Sequence, residues 1–137
     1  MKHAFTLAIL LISVLMGCQK NKTIGSAEIV GEWKLIEEKI ESGLIVNTPT
    51  VFEPVESDKT ITFFESGLYA SNGEMCLMSN QASSASTGLF NPSLNSIEPE
   101  GCESASATSG IIYELQGDIL IISYPCIEAC QQKYKRI

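Results

Sequence analysis

Histidine is almost missing from this 137-residue chain, whose one example is His3, two positions from the start. Without histidine, a serine or cysteine nucleophile lacks its usual base, and the commonest zinc ligand is gone as well. No phosphate loop, dinucleotide fingerprint or calcium loop is present either. Carboxylates are plentiful, but Glu37, Glu38 and Glu41 cluster where the chain reads as a solvated strand end. Nothing marks an acid and base pair held in an apolar pocket, so the sequence is not read as an enzyme and calls for no cofactor or metal. Positive charge is also scarce, with nine basic residues against sixteen acidic ones and a single arginine, Arg136. Such an acidic chain repels nucleic acid, which is therefore set aside as a partner. The longest apolar run, Ala4 to Met16, is broken only by Thr6 and Ser13 and falls short of the roughly 20 residues a spanning helix needs.

That run follows Lys2 and His3 and ends at Leu15-Met16-Gly17-Cys18. A charged start, a short apolar middle and a small residue before a cut site describe a secretory signal peptide. The four residues at its end resemble the bacterial lipoprotein box, in which the chain is cut before a lipid-modified cysteine. The resemblance implies a signal peptide over 1–17, acylation of Cys18 and a membrane partner reached through that anchor. Several acyl chains matter, because one alone binds a bilayer only marginally. Gln19 resembles the residues that permit transfer to the outer membrane of a double-membraned bacterium. The competing reading is a plain signal peptide cut nearby, with Cys18 incidental. Removal of 1–17 would leave 120 residues, enough for one core, with eight basic residues against sixteen acidic ones. Residues 18–26, polar with a Gly-Ser end, read as a tether, and 27–137 as one domain.

Four cysteines remain for that domain: Cys76, Cys102, Cys126 and Cys130. In an exported chain four cysteines form a disulfide framework with three connectivities. Cys126 and Cys130 flank only Ile127-Glu128-Ala129, so if 119–125 and 131–137 are strands they face each other across a hairpin base. Cys76 would then pair with Cys102. The competing arrangement joins Cys76 to Cys130 and Cys102 to Cys126. A four-thiolate metal site is the third reading, against which stands the lack of the paired CxxC knuckles of zinc sites.

Ser26 can cap a single helical turn that ends at Gly31. From there the texture is short strands between turn residues, over 33–40, 44–50, 58–65, 67–72, 75–79, 110–116, 118–125 and 130–137. Glu65-Ser66-Gly67 and Gln116-Gly117-Asp118 sit between apolar, β-branched or aromatic runs, which is a hairpin signal. Ile61 and Phe63 alternate with Thr60 and Thr62, giving one buried and one wet face. Residues 79–109 are serine-rich and nearly patternless, and read as a long loop or irregular edge pinned by Cys102, with a functional lid as the alternative.

Consecutive short strands without a long helix argue for an all-β, antiparallel up-and-down barrel of about eight strands. A helical turn leading into Gly31-Glu32-Trp33, followed by hairpins, resembles the lipocalin-like domains carried by bacterial lipoproteins. The resemblance rests on "IVGEWKLIEEK", "ITFFESGLYASNG" and "YELQGDILIISYPCIEACQQKYKRI" and covers about 110 residues. It implies that Trp33, two residues after Gly31, plugs one end of the barrel, with Arg136 packed across its ring. It also implies a small apolar or amphipathic ligand, with Phe63, Tyr69 and Tyr113 as inward-facing aromatics. Those three rings would equally fill a closed core, since eight strands enclose little more than their own side chains. The alternative is a ligand-free barrel whose outer surface binds an envelope protein or serves a structural role. The sequence names no ligand and no oligomeric state.

Overall fold

The computed structural model describes residues 26–40, 51–102, 110–126 and 130–137. A four-residue helical turn, α1 (Ser26–Ile29), leads into β1 (Gly31–Ile40), which is followed by β2 (Glu53–Pro54), β3 (Thr60–Phe63), β4 (Leu68–Ser71), β5 (Ser86–Asn91), β6 (Ser96–Pro99), β7 (Ile111–Gln116), β8 (Ile119–Tyr124) and β9 (Cys130–Arg136). All pairings are antiparallel, in the order β1-β3-β4-β5-β6-β7-β8-β9, and β9 returns to β1. The eight strands therefore close into a barrel, and β2 is an extra strand on the outer flank of β1. Closure leaves the eight barrel strands themselves without a free edge to template pairing with another chain.

Alternation fills the interior. Trp33 and Leu35 of β1, Ile61 and Phe63 of β3, Tyr69 of β4, Phe90 of β5 and Ile97 of β6 point inward. Ile111 and Tyr113, Leu120, Ile122 and Tyr124, and Tyr134 complete the lining from the last three strands. The Phe63 ring lies 5.1 Å from Phe90, edge to face, and 6.0 and 6.5 Å from Tyr69 and Tyr113. Such aromatic contacts add about 0.5–1.5 kcal/mol each beyond their buried area. Gly88 of β5 lies opposite Tyr69 because a Cβ there would meet Tyr69 Cε1 at 2.8 Å and Glu98 O at 2.2 Å.

Two sequence expectations need correction. Residues 79–109 are not one loop, because β5 and β6 form a hairpin inside them. Its inward residues Phe90 and Ile97 are few, and the outward Leu89 breaks the alternation among serine, threonine, asparagine and glutamate, so composition hides the strands. The turn is built by side-chain chemistry: Asn91 Oδ1 accepts from Ser93 N at 2.9 Å, and Asn95 takes a φ of +51°. Residues 75–79 are not a strand but part of an irregular strap between β4 and β5. The expected strand over 44–50 lies outside the described residues.

The disulfides pair Cys76 with Cys102 and Cys126 with Cys130, at Cα separations of 5.5 and 5.9 Å. Both lie at the end of the barrel where β8 hands over to β9, opposite the end that α1 enters.

Candidate functional site

The two ends of the barrel are finished by different chemistry. At the α1 end, Trp33 is fully buried and its indole Nε1 donates to Ile29 O at 2.8 Å. The guanidinium carbon of Arg136 lies 4.1 Å from the centre of the Trp33 rings. Arg136 Nη1 donates to Val30 O at 2.8 Å, Nη2 donates to Glu28 O, and Nε faces Asp118 Oδ1 at 3.4 Å. One cation thus stacks on the indole and satisfies the carbonyls that α1 and its exit leave open. Gly31 makes the approach feasible: its φ is +133°, and a Cβ there would stand 2.8 Å from Arg136 Nη1.

The opposite end is polar inside. Lys59, just before β3, has the same parity as Ile61 and Phe63 and therefore points into the barrel, fully buried. Its Nζ donates to Glu74 O and Ser79 O, both at 2.7 Å, and to Gln132 Oε1 at 3.3 Å. Gln132 is also fully buried, and its Oε1 accepts further from Tyr134 Oη at 2.7 Å and Tyr124 Oη at 2.9 Å. Its Nε2 donates to Glu38 Oε1 at 2.6 Å and to Ser79 O at 2.9 Å. These partners fix the amide orientation, because turning it over would set NH₂ against an ammonium and a carboxylate against a carbonyl oxygen.

Burial pulls the Lys59 amine down to about 8, against the opposing pull of Glu38 and Glu74. Burial likewise pushes the Tyr124 and Tyr134 hydroxyls above their ordinary range. The cluster is roofed by the strap, with Met75 fully buried beneath it and its Sδ 3.5 Å from Tyr124 Oη. Ser57 Oγ and Ser86 Oγ donate to Asn80 O at 2.6 Å and Gly73 O at 2.9 Å, pinning both ends of the strap. The Cys76–Cys102 bridge ties it to the chain beyond β6.

Glu38 reaches this cluster through an irregularity. Leu35 pairs with Tyr134 and Glu37 with Lys133, so Ile36 is an inserted residue, a β-bulge. Before it the odd positions Trp33 and Leu35 face inward; after it Glu38 stands opposite Gln132 and turns in, while Glu37 turns out to pair with Lys133. Reading Glu38 as solvated was therefore incorrect, and the cause is the parity change at Ile36. Lys59, Gln132, Tyr124 and Tyr134 were missed as a group, although inward parity with Ile61 and alternation in β8 and β9 were legible signals.

The aromatics Phe63, Tyr69 and Tyr113 all lie inside. The Tyr69 hydroxyl lies beside the Ser86 hydroxyl, which donates to Gly73 O and keeps its lone pairs to accept, whereas the buried Tyr113 hydroxyl has no hydrogen-bond partner. Cys18 lies outside the described residues. Among the described residues no group of histidine, cysteine or acidic side chains is placed to hold a metal ion, and no helix is long and apolar enough to cross a membrane. Compared with protein-family models, curated proteins and solved structures, the chain matches none.

Proposed function

We propose that this chain is a lipid-anchored, lipocalin-like protein of the bacterial cell envelope, exported by residues 1–17 and held to the membrane through Cys18. The observation that carries this reading is Leu15-Met16-Gly17-Cys18 at the end of a short apolar run, ahead of a domain stapled by two disulfides. Disulfides persist in exported proteins and not in the reducing cytosol. In this reading the barrel is a rigid body filled by its own rings, capped by Trp33 at one end and by the strap at the other, and it meets envelope partners through its outer surface. The outer membrane of a double-membraned bacterium is the proposed location.

A second reading is favoured by one observation, the buried and unpartnered hydroxyl of Tyr113 beside Phe63. Buried polar atoms without partners cost about 1–3 kcal/mol each, so a small amphipathic molecule offering polar atoms there would recover that cost. It would enter from the strap end, because Trp33 and Arg136 occupy the other.

The test of the anchor is Cys18→Ala, which should abolish acyl mass on the chain and release it from the membrane fraction. Unchanged membrane fractionation with no loss of acyl mass would sink the anchor. A fluorescence titration with apolar probes separates the two readings of the interior: saturable one-to-one binding supports a carrier, and no binding supports the self-filled barrel.

A further inference from the structure

Gln132 has more than a core glutamine needs. Its carbonyl oxygen receives three donors, from Tyr134, Tyr124 and Lys59, although such an oxygen carries two lone pairs. Three donors describe the resting ammonium; when Lys59 loses a proton and turns its lone pair to the amide, the two tyrosine hydroxyls remain to hold an oxyanion there. Its nitrogen points at a carboxylate 2.6 Å away, and a lysine amine stands 3.3 Å from its oxygen in a site closed to water. With a C=O bond of about 1.23 Å, the amine is within about 4.5 Å of the amide carbon. From this juxtaposition we infer that Lys59 and Gln132 join through an intramolecular isopeptide bond that the folded protein makes by itself.

The chemistry balances without any co-reactant. The neutral Lys59 amine attacks Cδ of Gln132; the Nζ–Cδ bond forms, and the carbonyl electron pair moves onto Oε1, where the Tyr124 and Tyr134 hydroxyls hold it. Glu38 rests against Nε2 and faces Nζ without touching it, so it takes the surplus proton from Nζ once the amine has closed on Cδ, and delivers a proton to Nε2. The carbonyl then reforms, the Cδ–Nε2 bond breaks, and ammonia leaves. One amide replaces another, and nothing is oxidised or reduced.

Each residue supplies something the reaction lacks in water. Amides resist amines because the two rarely meet in position; neighbours fixed about 3–3.5 Å apart reach effective concentrations of about 10⁵–10⁸ M, and Lys59 has at most about 1 Å to advance to that distance. Burial frees the amine of its proton near pH 8, whereas an exposed lysine stays charged. The charges that face Lys59 are Glu38 and Glu74, and Glu38 is the one in contact with the leaving nitrogen. The bond would run from the residue before β3 to the middle of β9, across β1, which lies between those two strands. A barrel held that way keeps its seam closed even when its disulfides are reduced.

The experiment is peptide mapping of the full chain purified from its own membrane, reduced, alkylated and digested. The expected result is a branched peptide joining Lys59 to Gln132, lighter than the sum of its two parts by one ammonia, about 17 Da. Glu38→Gln, which keeps the packing and removes the acid, should leave the two peptides separate while both disulfides still form. Tyr134→Phe should slow the bond at least tenfold in chain recovered unjoined from insoluble inclusions and folded for the first time by dilution from denaturant at pH 9. Wild-type chain with Lys59 and Gln132 in separate, full-mass peptides after such incubation overturns the proposal. A Glu38→Gln chain linked as fast as wild type overturns the mechanism.

Discussion

Arg136 lies flat over Trp33, its guanidinium carbon 4.1 Å from the ring centre, while its nitrogens hold the carbonyls of Glu28 and Val30. The indole is the largest buried side chain of the barrel and its floor. Trp33→Ala should therefore cost about 3–5 kcal/mol in denaturant unfolding, as deletion of large core aromatics does. Arg136→Ala should cost less, and Arg136→Lys should recover little, since a lysine ammonium cannot stack and fork at once. A loss below about 1 kcal/mol for Trp33→Ala would mean the ring is not the plug.

Gly88→Ala tests how closely the wall is built. The added methyl would stand 2.2 Å from Glu98 O and 2.8 Å from the Tyr69 ring, so strand β5 or the ring must move. We expect a loss of about 1–3 kcal/mol, the usual cost of overpacking. Gly67→Ala is the companion, because it has open space but a φ of +85°, and should cost only the backbone strain. Equal thermal shifts for the two would contradict the close packing at Gly88.

The two disulfides should differ in worth. Cys76–Cys102 closes 27 residues and Cys126–Cys130 five, which the chain-entropy estimate converts to about 3.5 and about 2 kcal/mol. The double variant Cys76→Ser/Cys102→Ser should lose more stability than Cys126→Ser/Cys130→Ser, and it should also expose the strap to protease, because that bridge ties it down. Protease cutting within 73–80 at the wild-type rate in the first variant would count against the strap's role as a fastened cover.

All four tyrosines of the chain are buried and their hydroxyls are pushed upward, by desolvation first in each case. A folded pKa above the unfolded value of about 10 means that the folded state keeps protons the unfolded state would release. The resulting stability is fully present below about pH 10 and is lost as the pH rises beyond it. Phenolate absorbance should accordingly stay flat past pH 10 and then appear in one step together with unfolding. Independent titration of even one tyrosine near pH 10 with the fold intact would contradict its burial.

Lys59 works in the other direction while its amine is free. Its folded value of about 8 lies below the ordinary 10.5, so the unfolded state binds the extra proton between those limits. Stability should rise with pH from about 8 to 10.5, and Lys59→Met should flatten that rise in a denaturant series. Chain in which Lys59 is already joined to Gln132 should lack this rise, and in unjoined chain a slope unchanged by the substitution would show that the amine is not the titrating group.

Much of the architecture is legible residue by residue. Ile61 and Phe63 alternate with threonines, Gly67 and Gly117 mark tight turns, and three residues between Cys126 and Cys130 bring those cysteines within bonding reach, because local geometry alone decides them. The barrel and the disulfide pairing followed from that local information. What the sequence could not decide was whatever depends on a partner strand. The hairpin of β5 and β6 is held by neighbours on both sides and needs only Phe90 and Ile97 to face inward, so its serine-rich chain carries little pattern. The strap over 72–80 folds against Lys59 and Gln132 from distant strands in place of a strand of its own. The polar cluster was hidden most completely. A bulge at Ile36 is invisible until β1 is set against β9, and it alone turns Glu38 from solvent towards Gln132, because one inserted residue reverses the face of every side chain after it.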